Sequence, residues 1–187
     1  MEITETLYVK TRTEWRNWLK KNYKTSKEIW LIYFNKDSGK KRIPYDEAVE
    51  EALCFGWIDS TAKKVDHESF AQRFTPRNPK SSYSQLNKER LKLLLKQKKV
   101  IDSVRKTLDK IGIENYEFPK DILTELKKNK TAWKHFQKFP EPYKRIRIAF
   151  IDGSRHRPDE FKKRLRYFIK MSQVNKTFGL QGNTKYY

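Results

Sequence analysis

The sequence predicts an α+β protein, with a small, mostly antiparallel sheet packed with helices and followed by a C-terminal helical module. Three observations predict it. A run of seven residues, Glu28 to Phe34, is rich in β-branched and aromatic types and reads as a central strand buried on both faces. From Ile58 to Val65 and from Phe70 to Thr75 the pattern is strand-like again, with "DHES" as the turn of a hairpin. Beyond "NYEFP", which reads as a linker, apolar residues recur at helical spacing. The organisation that follows is an α+β domain over residues 1–115, a helical module over 116–178 and a tail over 179–187.

The elements can be justified in order. "LYVKT" alternates as a short strand, and Thr11 with Glu14 is spaced as a capping box before a helix that carries Trp15, Trp18 and Leu19 on one stripe. After the Glu28–Phe34 strand, "KDSGKK" makes a turn. Pro44 suits a helix start, and Tyr45, Ala48, Val49, Ala52 and Leu53 recur until Gly56 offers a left-handed C-cap. Pro76 and Pro79 end the hairpin. Ser82 and Gln85 form a second capping box, opening a long helix with a break near Val100 and an end at Gly112. Three further helices follow, in "DILTELKKNKTAWKHFQKF", "EPYKRIRIAFIDG" and "RPDEFKKRLRYFIKMS".

Composition narrows the functional classes. Forty-three Lys and Arg against 23 Asp and Glu give a formal charge of +20, a field that attracts nucleic acid, anionic lipid and acidic small molecules. A solvated surface that has drifted basic accounts for the same number. The single Cys54 forms no intramolecular disulfide and sits among apolar neighbours, which predicts a buried thiol in a reducing compartment. The first residues carry acids where a signal peptide carries cations, and no run of 18 uncharged apolar residues occurs, so the expectation is a cytoplasmic protein. His67, His135 and His156 lack metal-ligand spacing and read as surface histidines, and no nucleophile elbow or Gly-rich phosphate loop occurs. No cofactor or metal is expected, and an enzyme is disfavoured.

One residue breaks its pattern. On the helix after Ser82, Tyr83, Leu86, Arg90, Leu93 and Leu94 share a stripe, so Arg90 falls where the period asks for an apolar side chain. A guanidinium in such a place needs a carboxylate, a carbonyl or a bound anion. It either ties the helix to Asp59 or a strand carbonyl, or it belongs to a ligand site. In the second reading Trp57, Asp59, Arg73, Arg77, Tyr83, Asn87 and Arg90 gather near the helix N-terminus around an anionic or polar ligand, with Trp57 as a stacking face. An enzyme with Asp59 as acid or base on a small anionic substrate uses the same residues. The basic blocks "YKRIR", "SRHR" and "KKRLR" support a different class, a non-specific nucleic-acid binder through Lys162, Lys163 and Arg166.

The stretch "EALCFGWIDS" followed by "QRFTPRNPKSSYSQLNKER" resembles the signature of the YdeI/OmpD-associated, bacteriocin-protection family, and "AWKHFQKFPEPYKRIRIAFIDGSRHRPDEFKKRLRYFIK" resembles its C-terminal helical module. The resemblance runs from about Ala48 to Lys170. It departs from the family pattern at Tyr83, where a tryptophan is usual, and over residues 152–164. It implies a small α+β domain followed by helices, and a bacterial stress role in tolerance of bacteriocins or cationic antimicrobial peptides, without an established catalytic mechanism. The reading that results is a non-enzymatic binder of an anionic or polar ligand.

Overall fold

The computed structural model of the chain describes residues 2–111 and 116–179. Its elements run β1 (Thr6–Leu7), α1 (Arg12–Asn22), β2 (Ile29–Phe34), α2 (Tyr45–Cys54), β3 (Trp57–Lys64), β4 (Ser69–Pro76), α3 (Gln85–Lys96), α4 (Asp102–Ile111), α5 (Lys120–Lys128), α6 (Lys130–Lys138), α7 (Glu141–Asp152) and α8 (Pro158–Gln173). The chain divides into two compact units. One comprises Met1–Ser82 with Leu91–Ile111, the other Tyr83–Arg90 with Gly112–Tyr187, so α3 contributes its first half to one and its second half to the other. The predicted tail over 179–187 lies, apart from Gly179, outside the described residues.

In the first unit the sheet order is β1-β2-β4-β3. The fold class is α+β as predicted, and the sheet is mixed: β2 pairs antiparallel with β4, and β4 with β3, but β1 pairs parallel with β2. The parallel pair arises because α1 intervenes between β1 and β2, returning the chain in the same direction. The hairpin carries a bulge between Asp59 and Ala62. Buried Gln72 closes it, donating from Nε2 to the carbonyls of Ser60 at 3.1 Å and Thr61 at 3.4 Å, so that backbone left out of the ladder is still bonded.

Local chemistry explains the helix ends. The Thr11 hydroxyl accepts from the Glu14 amide at 3.2 Å, and Glu14 accepts in return from the Lys10 amide at 2.8 Å, one residue before the usual reciprocal partner. Gly56 ends α2 at φ 73°, and a Cβ there would stand 3.1 Å from Val104 Cγ2. The second capping box shifts by two residues. Ser84 caps α3, its hydroxyl accepting from the Asn87 amide at 3.3 Å, because α3 starts at Gln85 and the Gln85 side chain turns instead to Glu89. The long helix breaks as predicted, at Lys96, before Lys98 takes φ 55°. The first predicted helix of the C-terminal module is two: Asn129 leaves helical geometry at φ −97°, ψ 96°, ends α5 and caps α6 through Oδ1.

The core of the first unit is aromatic. Trp15 stacks on Trp18 at 5.3 Å, Trp18 meets Trp57 edge-on at 5.7 Å, and the Trp15 indole donates to the Ala48 carbonyl at 3.0 Å, locking α1 against α2. Beside this cluster α2 buries two adjacent carboxylates, Glu50 and Glu51. Arg12 bonds both, and Arg16 bonds Glu51 at 2.5 Å and the Lys99 carbonyl at 2.9 Å. The second unit has its own core of Ile122, Leu126, Phe136, Tyr143, Ile148 and Phe168 among others. After α8, Asn175 at φ 55° turns the chain back, and Phe178 packs against Tyr167 at 4.7 Å.

Two predictions follow from these cores. Glu51→Gln strips Arg12 and Arg16 of a buried partner and lowers stability by about 3–5 kcal/mol, whereas Lys40→Ala, at an exposed pair with Glu68, costs under about 1 kcal/mol; urea midpoints of the two variants check this, and equal shifts would refute it. Cys54 is fully buried beside Glu51, and burial first and that carboxylate second push its thiol up to about 11 against the pull of Arg16. At pH 8 the native protein reacts with a thiol reagent at least about 100-fold more slowly than the urea-unfolded chain, and comparable rates would show an accessible thiolate.

Candidate functional site

The seven residues that the sequence nominates divide between the units. In the first, Trp57 is 1% exposed, its indole donates to the Tyr23 carbonyl at 3.1 Å, and its ring packs on Trp18. This is a core residue, and it does not offer a free stacking face, because the turn from α2 into β3 aims it inward. Asp59 accepts the hydroxyl of Tyr45. Arg73 lies opposite Trp30 in the β2–β4 ladder and bonds Glu28 through Nε at 2.7 Å, while the hydroxyl of Thr4 and then Arg73 hold the Glu28 carboxyl below its usual range. Arg77 continues from β4, its amide donating to the Gly56 carbonyl at 2.8 Å.

In the second unit Tyr83 precedes α3, and Asn87 and Arg90 lie in its first half. Tyr83 and Arg90 are buried, and Arg90 donates to Asn87 Oδ1 at 2.9 Å, a bond between helical neighbours three apart. The inward-pointing guanidinium that the stripe predicts is therefore present, at 4% exposure. The residue before Arg90, Glu89, is also buried and makes a forked pair with Arg145 of α7, at 2.7 and 2.9 Å, while the Gln85 amide donates to the same carboxylate at 2.7 Å. These bonds join the first half of α3 to α7.

That junction opens a groove of about 550 Å³ lined by Ser84, Gln85 and Leu86 of the α3 start, Ile146, Arg147, Ala149 and Phe150 of α7, Gly153, and Arg164 of α8. Its two cations are fixed against one ring. The Arg164 guanidinium lies 3.7 Å from the centroid of Phe150 and that of Arg147 lies 5.4 Å from it. Arg164 is also held by Glu160 at 2.7 Å and the Phe150 carbonyl at 2.9 Å. Arg147 is only 8% exposed and continues over Phe178 at 5.3 Å, where Gly179 sits so close that a Cβ would fall 2.6 Å from its Nη1. The start of the 12-residue helix α3 borders the same groove through Ser84, Gln85 and Leu86. The arrangement suits a negative group. Its donors are guanidiniums, which stay charged at any working pH, an amide and a hydroxyl.

Arg147, Phe150 and Arg164 were not among the nominated residues, yet a signal for Arg147 was present. It stands four residues after Tyr143 and four before Ile151, both buried, so it interrupts an apolar stripe as Arg90 does. Phe150 and Arg164 carry no such mark. Lys162, Lys163 and Arg166 are on the exposed face of α8. Of the histidines, His67 and His156 are exposed, but His135 is half-buried with Nδ1 2.9 Å from the Ser172 carbonyl, tying α6 to α8. Among the described residues no group of three His, Cys, Asp or Glu is placed to hold a metal ion, and no helix is long and apolar enough to cross a membrane.

Comparison with known proteins gives two family matches. Residues 7–110 match a domain of unknown function, DUF8412, and residues 115–175 match the model described as bacteriocin-protection, YdeI or OmpD-associated. No curated protein and no solved structure matches the chain. The second match begins well after the stretches at 51–60 and 72–90 that carry part of the resemblance, and those stretches lie in the first match instead. The chain therefore belongs to the DUF8412 family, whose model matches residues 7–110, and its residues 115–175 match the bacteriocin-protection, YdeI or OmpD-associated model.

Proposed function

We propose that this is a cytoplasmic protein of bacteriocin or stress tolerance that binds an anionic ligand without turning it over, in the groove between the α3 start, α7 and α8. The observation that carries the reading is the pair of guanidiniums, Arg147 and Arg164, held against Phe150 in a groove of about 550 Å³. Such a volume is ordinary for a small-molecule site. Fixed cations lose little freedom when an anion arrives, unlike the flexible lysines that supply most of the +20 charge. The same charge argues against direct capture of cationic antimicrobial peptides, which the field of the protein repels at low salt. Tolerance on this reading acts through an anionic ligand.

Titration of the full chain with inorganic phosphate, followed by calorimetry or phosphorus NMR, tests the reading. Saturable binding is expected, weakened about tenfold or more by Arg147→Gln or Arg164→Gln, since each removes a charge-assisted contact. A Lys162, Lys163 and Arg166 triple alanine variant retains it. No saturable binding in the wild type, or undiminished binding in both Arg147→Gln and Arg164→Gln, would overturn the assignment.

A second reading rests on α8. Lys162, Lys163 and Arg166 are exposed together there, and Tyr167 beside them is exposed as well, which suits a single-stranded nucleic acid held by phosphate contacts and stacking. On this reading the slope of log affinity against log salt for a short single-stranded oligonucleotide falls by about two in the triple alanine variant, and an unaltered slope would remove α8 as the interface.

A further inference from the structure

Resting on the anion reading, the composition of the groove names the class of ligand. Its charge is gathered at one wall and its remaining surface is apolar. Arg147 and Arg164 lie on the ring of Phe150, and Leu86, Ile146 and Ala149 supply the rest of the side-chain lining apart from Ser84 and Gln85. A bare phosphate engages the first part only. The groove is far larger than a five-atom anion needs, and most of the water in it stands against hydrocarbon. Water in that position is released favourably by an apolar chain.

The carboxylate nearest the charged wall, Glu160, is engaged with Arg164, and Arg164 also bonds the Phe150 carbonyl, so this guanidinium is oriented before any ligand arrives. Arg147 is oriented from the other side by Phe178, whose amide in turn donates to the Tyr143 hydroxyl at 3.3 Å. Both cations are thus set in place by the fold, and the hydrocarbon beside them comes from α3 and α7. We propose that the ligand of this groove is a single-chain amphiphilic anion, its phosphate or carboxylate head at Arg147 and Arg164 and its alkyl chain along Leu86, Ile146 and Ala149.

The test is a calorimetric series on the full chain with inorganic phosphate, butyl phosphate, octyl phosphate and octanol, each below its aggregation concentration. Each methylene that leaves water strengthens binding by about three- to fourfold, so octyl phosphate is expected to bind at least about 100-fold more tightly than phosphate, with octanol at least tenfold weaker than octyl phosphate. Ala149→Leu and Ala149→Phe, which fill the apolar part, cut the gain of octyl phosphate over inorganic phosphate about tenfold or more, with far-UV circular dichroism and urea midpoints showing that the variants fold, and an undiminished gain overturns the placement of the chain. Octyl phosphate binding no tighter than inorganic phosphate overturns the amphiphile and leaves the anion reading standing. Absence of saturable binding by either overturns both. Octanol matching octyl phosphate refutes a role for the head group. Binding to vesicles of anionic phospholipid with none to monomeric octyl phosphate refutes it in favour of a membrane surface.

Discussion

The first unit depends on the burial of two adjacent carboxylates, Glu50 and Glu51, in the middle of α2. Removing a charge from water costs several kcal/mol even after relaxation, and two of the same sign side by side cost more. The helix can lie against the aromatic core only because α1 supplies Arg12 and Arg16 one turn apart, facing it. The position of α1 is then fixed twice, by these pairs and by the bond from the Trp15 indole to Ala48. Since α1 also connects β1 to β2, the same constraint sets the direction in which β1 joins the sheet. Arg16 extends it further, to the Lys99 carbonyl, and the Ile101 amide donates to the Cys54 carbonyl at 3.1 Å, so the segment before α4 is held to the end of α2.

Arginine performs a related task in the second unit. Arg145 grips buried Glu89 with a fork of two bonds, which fixes the first half of α3 on α7. Arg147, two residues on, points into a different sector of α7 and is packed between Phe150 and Phe178. A lysine could not reproduce either arrangement, since it lacks the planar fork for the first and the flat, weakly hydrated face for the second. The demand on the chain reaches as far as Gly179: at φ 65° a residue with a Cβ is strained, and that Cβ would displace the Arg147 guanidinium.

How much of this was legible follows from the range of each interaction. The β2 run, the hairpin, the Thr11 cap and the Gly56 stop are local devices, each contained in a few neighbouring residues, and the sequence predicts them where they occur. The two serines two apart, Ser82 and Ser84, present nearly the same capping pattern, and what separates them is the bond from Gln85 to Glu89, which depends in turn on Arg145 more than fifty residues away. Asn129 was hidden for another reason. An asparagine inside a continuous apolar stripe reads as a helix interior until its side chain is seen to accept the Ala132 amide. The inward aim of Trp57 is not legible locally, because a tryptophan after a glycine stop has no partner nearby in sequence; its partners, Trp18 and Tyr23, belong to α1 and the turn after it. The inward Arg90 was legible from period alone, and the groove was not, since its walls come from residues 84–86, 146–153 and 164.

The charge of +20 is therefore a poor guide to where this protein recognises anything. Most of it belongs to lysines that move freely in water, and an ion attracted to one of them is exchanged for another without loss. A guanidinium that the fold has already oriented differs in kind. Its side-chain entropy was lost when the chain folded, and it is partly stripped of water before a ligand arrives. Arg147 and Arg164 meet those conditions together, against one aromatic ring, in an open groove. Arg12, Arg16 and Arg145 meet the first condition also, but the carboxylates they hold are buried, which makes them fasteners, whereas Glu160, which Arg164 holds, is partly exposed. What separates a fastener from a binding group here is whether the surroundings leave room for a partner from outside, and the walls of α3 and α7 leave that room beside hydrocarbon.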